Sequence, residues 1–581
     1  MIKVIIGKDH AVAVGPLPIR WLSLATQLSG RKSWGEGGCR FEASPSNLRI
    51  LHASDLEFDF VGETSTIDGL ARVGMPDAPE APPEFIYPGP MYDFHKATLR
   101  EHWGDEARAY FHECGLGKTS LAIVNMGMLH AAGLITGGIV IAPIGVDAQW
   151  IDEQLPMYWD RSFPITTILL RKQKRFDYVN KGFTLVVGTT DMLRSKMFET
   201  LKDFALAHGP NKMFCVIDEA HRFRRHESDR TKKLIGWSSS KQKVEGLVDL
   251  IRYKRIMTGS PGDALGCWSQ FYFLNWKILG YRYVTSFIGH FCVLGGYDGR
   301  TPIDQKNTEE FWALVAPYTD RLTKAETNLQ LPPKIYAQRR FQLAPETRAK
   351  YDELRETWMV NLAPDQKLDV KNAMTAMMRL QQITCGFLPA PDGSGLVEIG
   401  KGERLDAMID IVKQSQGQVV IWGRFTHDIE TITKRLEVEF GRHTVATYYG
   451  LNAAEVNAKN KQMFVSGQRR FFVSNAQMGG TGLDGLQVAQ TMIFFSNSFN
   501  YIERVQAEDR GHRGGMKGTL TIHDLIGMNT VDAKILRVLR HRKDIASLTF
   551  DEIRRAIENP AAEGGDTVID PEMEKLLGGV K

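Results

Sequence analysis

"HECGLGKTS", His112 to Ser120, is the stretch on which the reading of this chain turns. The phosphate-loop pattern G-x-x-x-x-G-K-[ST] begins with glycine, and this chain has His112 there. Gly115, Gly117, Lys118 and Thr119 are in place. In such a loop backbone N–H groups wrap phosphates, the lysine reaches the β- and γ-phosphates, and the threonine hydroxyl binds Mg²⁺. A tight turn opening an ordinary helix has a similar sequence. The rest of the chain has to decide.

Downstream, short apolar runs alternate with helical stretches: "GGIVIAPIG", "FTLVVGTTD", "FCVIDEA" and "KRIMTGS". Runs rich in Val, Ile and Phe that end in small or acidic residues read as parallel strands, which deliver functional groups at their carboxyl edge. "FCVIDEAH" puts Asp218 and Glu219 at such an end. A phosphate-loop enzyme needs one carboxylate there for Mg²⁺ and a neighbour to orient the attacking water. An Asp cap at a strand-to-helix turn explains a lone D-E pair equally well. It does not explain the order GKT, "IAP", "DEAH", "TGSP". The expected cofactors are ATP and Mg²⁺. Gly115, Leu116, Gly117, Lys118, Thr119 and Ser120 are expected on the phosphates, Thr119 and Asp218 on the metal, and Glu219 on the water.

A second series begins near Lys401: "GQVVIWGRF", "HTVATYYG", "RRFFVSNA", "TMIFFSNS" and "TLTIHDLI". In it, Arg510 and Arg513 stand three apart. They can bring positive charge to a γ-phosphate as its bond breaks. The expected fold is α/β: two RecA-like parallel-sheet lobes with helical insertions, preceded by a small α+β module. The bounds read 1–75 for the accessory module, 76–90 for a Pro-rich linker, 91–320 for lobe 1, 321–400 for a helical bridge, 401–557 for lobe 2 and 558–581 for a loose tail.

Composition is that of an ordinary globular chain of 581 residues, 43% hydrophobic and 24% charged, too long for one core. The six cysteines form no C-x-x-C pair, which argues against a zinc knuckle and for a reducing compartment. A net charge of +4 is compatible with nucleic acid without demanding it. Neither a secretory signal nor a long apolar span is legible, so a cytoplasmic place, nucleoid-associated in a prokaryote or a virus-infected host, is expected.

These motifs together resemble the superfamily-two helicase and translocase ATPases, within them the Swi/Snf-type branch, from about Pro90 to Arg542. "HECGLGKTS" is similar to the branch's D-E-M-G-L-G-K-T, which also lacks the first glycine and has Asp where His112 stands. "APIGVDAQW" resembles motif Ia, "VVGTTDML" motif Ib, and "MTGSP" the T-G-T-P of motif III. "RLTKAETNLQLPPK" resembles the R-x-x-K…L-P-P-K segment, "QVVIWGRFTHDIETI" motif IV and "SNAQMGGTGLDGL" motif V. "RVQAEDRGHRGG" resembles motif VI, Q-A-x-D-R-x-H-R-x-G-Q, with Met516 at the final Gln. The resemblance implies a DNA-dependent ATPase that moves on duplex or branched DNA, with Gly482, Asp484 and Gln506 on the nucleotide and Pro143, Thr189 and Thr190 on the phosphate backbone. It also implies duplex, forked or single-stranded DNA as the partner, with replication or recombination proteins beside it. His95 stands where many relatives have a glutamine that reads adenine. Residues 19–51 resemble the HARP-type module of annealing helicases, with Arg31, Lys32 and Trp34 as candidate junction contacts. The rival readings are a strand-separating helicase and a non-hydrolysing, ATP-regulated clamp.

Overall fold

The computed structural model describes residues 2–6, 10–14, 39–42, 58–62 and 85–541, apart from 174, 181, 239–242, 296–300, 328–330, 362–369, 391–393, 401 and 480–482. The chain divides into two compact units, Met1–Asn328 and Leu329–Lys581.

The first unit opens with four strands, β1 (Ile2–Ile6), β2 (His10–Val14), β3 (Cys39–Glu42) and β4 (Phe58–Gly62), in the order β3-β2-β1-β4. Arg31, Lys32 and Trp34 of the HARP-like resemblance, residues 76–84 of the linker and the tail from 558 lie outside the described residues. A larger sheet follows: β5 (Ala107–His112), β6 (Gly137–Ala142), β7 (Ile165–Leu169), β8 (Phe183–Thr189), β9 (Met213–Asp218), β12 (Tyr253–Met257) and β15 (Thr319–Leu322). Its order is β15-β5-β12-β9-β6-β8-β7 and every pairing is parallel. Two ribbons stand outside it, β10–β11 (Trp237–Ser238, Lys243–Val244) and β13–β14 (Cys292–Gly295, Thr301–Gln305).

A strand alternates its side chains between two faces, and here both faces are covered. On β6, Ile139 and Ile141 enter one core while Val140 and Ala142 enter the other. The helix Lys118–Ala131 packs on the second face through Leu121, Val124 and Leu129. The helix Ala264–Asn275 packs on the first through Phe271 and Leu274. This double burial explains why the strands read as unbroken apolar runs.

The second unit repeats the plan with β16 (Lys334–Phe341), β19 (Val419–Gly423), β20 (Val445–Tyr448), β21 (Phe471–Asn475), β22 (Thr491–Phe494) and β23 (Leu520–Gly527). The order is β16-β23-β22-β19-β21-β20, again all parallel, with a small ribbon β17–β18 (Phe387–Pro389, Leu396–Glu398) beside it. Ile421 enters one core, Val420 and Trp422 the other. The stretch read as a bridge does contain the helices Pro345–Asn361 and Val370–Thr384. It also contains β16, an edge strand of this sheet. "KIYAQRRF" is too polar to signal a buried strand, because an edge strand need not be apolar on both faces. Among the described residues no helix is long and apolar enough to cross a membrane.

Candidate active site

In a parallel sheet the loops after the strands gather at one edge. In the first unit β5, β12 and β9 are successive neighbours, so the loops carrying Lys118, Thr258 and Asp218 leave that edge side by side. The outer two strands are about 10 Å apart, two strand spacings. That is room for a chain of phosphates.

The loop after β5 turns through Gly115 (φ 88°) and Gly117 (φ 73°), backbone conformations that L side chains resist. A Cβ on Gly117 would also come within 3.0 Å of His95 Cε1. The helix begins at once with Lys118, which is 9% exposed. Its Nζ donates to His112 O at 2.9 Å and to Glu113 O at 3.3 Å, so the ammonium is folded back across the mouth of its own loop. Thr119 opens the same helix turn, Ser120 Oγ donates to Gly117 O at 2.7 Å, and Leu116 is buried beneath. His95 is fully buried, 5.6 Å from the parallel ring of His112. Burial, with His112 beside it, pushes the His95 pKa down to about 3.

At the end of β9, Asp218 and Glu219 are 6% and 8% exposed. Trp150 Nε1 donates to Asp218 Oδ2 at 3.1 Å, and Glu219 N donates to Asp218 Oδ1 at 2.9 Å. Burial and the adjoining Glu219 charge push Asp218 up to about 6, against the indole hydrogen bond and the Lys118 charge. Glu219 has φ 52°, a left-handed conformation that costs a side-chain-bearing residue about 1–2 kcal/mol and is found where function needs it. His221 Nδ1 lies 3.0 Å from Glu219 Oε2 and 3.2 Å from Thr258 Oγ1. The acid is thereby joined to the loop after β12. Trp150 is the residue the sequence reading missed. It closes "APIGVDAQW", and its loop is braced by buried Asp147, which accepts from Gly145 N at 2.9 Å and Arg171 Nε at 2.6 Å.

The structure places Pro143, Thr189 and Thr190 at the same edge with their side chains inside; Thr189 and Thr190 are 3% and 0% exposed. Ile144 and, after Thr190, Asp191, Arg194, Ser195 and Lys196 are exposed there.

In the second unit Arg510 and Arg513 share one carboxylate, Asp484 Oδ1; the Arg510 bond is 3.2 Å. Burial works against the Asp484 charge, but Arg513 and Arg510 hold its pKa below the usual carboxylate value. The helix that carries Arg510, Tyr501–Gly511, with Arg513 just past its end, is anchored by buried Arg504, which binds Glu508 at 2.7 Å and Asp524 at 2.5 Å. Lys334 reaches Glu508 at 3.2 Å and Asp509 at 3.3 Å, so the L-P-P-K segment clamps this helix. His512 Nε2 sits 2.7 Å from Pro332 O, a structural place. Gln506 is 8% exposed on the same helix. Gly482 lies outside the described residues.

Among the described residues no three or more His, Cys, Asp or Glu side chains gather as a metal site. The oxygen donors at hand, Thr119 and Asp218, suit Mg²⁺, which takes one or two protein oxygens and completes its shell with phosphates and water. The residues therefore fit that ion.

A phosphate loop, a D-E strand end and a separate sheet with an arginine helix define a helicase-type nucleoside-triphosphatase core. The SNF2-related domain family matches residues 109–387, and the helicase conserved C-terminal domain family matches 401–515. The chain thus carries an SNF2-related domain followed by a helicase conserved C-terminal domain, and its relatives are Swi/Snf-type ATPases of superfamily two. It is 24% identical over 466 residues to a probable chromatin-remodeling complex ATPase chain of Oryza sativa subsp. japonica, covering 76% of this chain and 39% of that one. It is 24% identical over 352 residues to an uncharacterized ATP-dependent helicase of Mycoplasma pneumoniae, covering 58% and 31%. The chain thus spans less than half the length of these curated relatives. Among solved structures it is similar to the Sulfolobus solfataricus SWI2/SNF2 ATPase core in complex with dsDNA, with 21% identity, 82% and 98% coverage and a TM-score of 0.37.

Proposed function

We propose that this chain is a DNA-dependent ATPase that translocates on duplex or branched DNA. The observation that carries the reading is the row of neighbouring strand ends, Lys118 after β5, Thr258 after β12 and Asp218–Glu219 after β9. Lys118 exchanges its two loop carbonyls for phosphate oxygens, at little cost since both are neutral acceptors. Mg²⁺, when bound, would supply positive charge to the phosphates. Asp218, fixed by Trp150 and the Glu219 amide, presents its carboxylate to that ion beside the Thr119 hydroxyl. Glu219, steadied by His221, orients the attacking water and accepts its proton. Arg510 and Arg513 supply positive charge as the γ-phosphate bond breaks.

DNA phosphates are taken at the edge after β6 and β8. There Thr189 and Thr190 contribute backbone N–H groups, and Arg194 and Lys196 the charge. A strand-separating helicase is the second reading, favoured by the β13–β14 ribbon with Leu294 and Ile303 exposed (44% and 63%).

Steady-state ATP hydrolysis with no polynucleotide, single strands, duplex and a fork tests the proposal, with Glu219→Gln alongside. Stimulation by duplex or fork, lost in the variant, is the expected result. Stimulation by single strands alone favours the strand-separating reading. No stimulation by any polynucleotide favours a clamp.

A further inference from the structure

The phosphate loop is tied to more than its own helix. β15 lies beside β5 with Leu322 opposite His112, and Glu113 N donates to Leu322 O at 2.9 Å. One residue pair further on, Lys324 N donates to Glu113 Oε2 at 2.7 Å. Behind them Asp320 Oδ2 lies 3.0 Å from His112 Nε2 and accepts from Thr98 Oγ1. Three successive points of residues 319–327 therefore grip His112 and Glu113. Those two residues supply the carbonyls that hold Lys118 Nζ. The gripped segment is the last of the first unit before the chain continues into the second at Leu329.

We propose that Glu113 is a positioning residue whose carboxylate ties the Lys118 loop to this exit segment, so that the segment's geometry sets nucleotide affinity and nucleotide binding in turn shifts the segment. When Lys118 turns to a phosphate, the carbonyls of His112 and Glu113 lose its ammonium, and these two residues are then held by Leu322 O on the Glu113 amide, Lys324 N on the Glu113 carboxylate and Asp320 at the His112 ring. A change at either end is then felt at the other, and such coupling is reciprocal. The inference rests on the nucleotide-binding reading above.

The tie can be cut without touching the loop. Lys324 is the first residue of the short helix Lys324–Glu326, a position where proline is accepted. Thr323 before it is already extended (φ −100°, ψ 158°), as a residue preceding proline must be. The cap itself runs through Thr323 and Glu326 and needs no Lys324 N–H. Lys324→Pro thus removes the donor to Glu113, while Lys324→Ala keeps it and removes only the side chain.

The measurement is the affinity of the full chain for a fluorescent N-methylanthraniloyl-ATP with Mg²⁺. The expected result is about three- to tenfold weaker binding for Lys324→Pro than for Lys324→Ala, the size of one charge-assisted hydrogen bond partly compensated by water. Glu113→Ala should weaken binding similarly, and Glu113→Ala/Lys324→Pro should be no weaker than the poorer single variant, because both cut one bond. Equal binding by Lys324→Pro and Lys324→Ala, or a double variant whose loss is the product of the singles, overturns the proposal. Wild-type chain that fails to bind the probe overturns the nucleotide reading itself, and the inference with it.

Discussion

In the first unit two buried carboxylates, Asp218 and Glu219, lie side by side, and burial together with their mutual repulsion pushes Asp218 up to about 6. In the second unit buried Glu508 and half-buried Asp484, both near the arginine helix, are each faced by cations: Glu508 by Lys334 and Arg504, Asp484 by Arg513 and Arg510. Burial opposes the Glu508 charge too, yet its cations hold it down to about 2. The contrast separates two uses of charge. The D-E end is short of positive charge, which is what the proposed Mg²⁺ would supply. The Glu508 cluster is complete in itself and serves as a foundation. Arg510 and Arg513 fall between, pinned to one shared aspartate while about a fifth of each side chain is exposed.

The largest effect should come from the intermediate group. Arg513→Ala should lower ATP turnover about a thousandfold with nucleotide affinity nearly unchanged, the pattern of a group that acts in the transition state. If Arg513 serves only to neutralise Asp484, turnover will fall less than tenfold and melting temperature will drop instead.

Glu508→Gln sharpens the foundation side. It should cost about 3 kcal/mol at neutral pH, as expected for breaking a buried ion cluster. Glu508 is depressed in the fold, so its contribution is fully present above the unfolded value of 4.5 and is lost as pH falls toward about 2. Thermal unfolding between pH 2 and 7 should therefore show the wild-type advantage shrinking over that window, and parallel curves would refute the assignment.

The smallest effect tests the under-neutralised end. Trp150→Phe removes the indole hydrogen bond that favours the Asp218 anion. The Mg²⁺ concentration for half-maximal turnover should rise about three- to tenfold, with maximal turnover changed less. An unchanged Mg²⁺ requirement would mean that the indole only fills space.

Much of this was legible in the sequence, for physical reasons. β6, β8, β9, β19, β21 and β22 are buried along most of their length and so announce themselves as runs rich in Val, Ile and Phe. The phosphate loop and D-E end are fixed by local chain geometry, which short motifs encode. Polar edge strands escaped: β15 is "TDRL" and β16 is "KIYAQRRF", and neither needs two apolar faces. Pairings between distant residues escaped too. His95 and His112 were each noticed as departures from the family pattern, but their stacking appears only once the helix Asp93–His102 lies beside β5. Trp150 stood out only as the end of the motif Ia stretch, and its bond to Asp218 spans 68 positions. Thr189 and Thr190 were chosen from motif position alone, which does not report that the strand end turns them inward.

The central claim is a duplex-tracking motor, and displacement of a third strand tests it most directly. A triplex-forming oligonucleotide is placed on a long duplex, and its release is followed with ATP and Mg²⁺. The account predicts release by the wild-type chain that needs ATP and is absent in Glu219→Gln. An intact triplex, under conditions where the same protein hydrolyses ATP on that duplex, would contradict it.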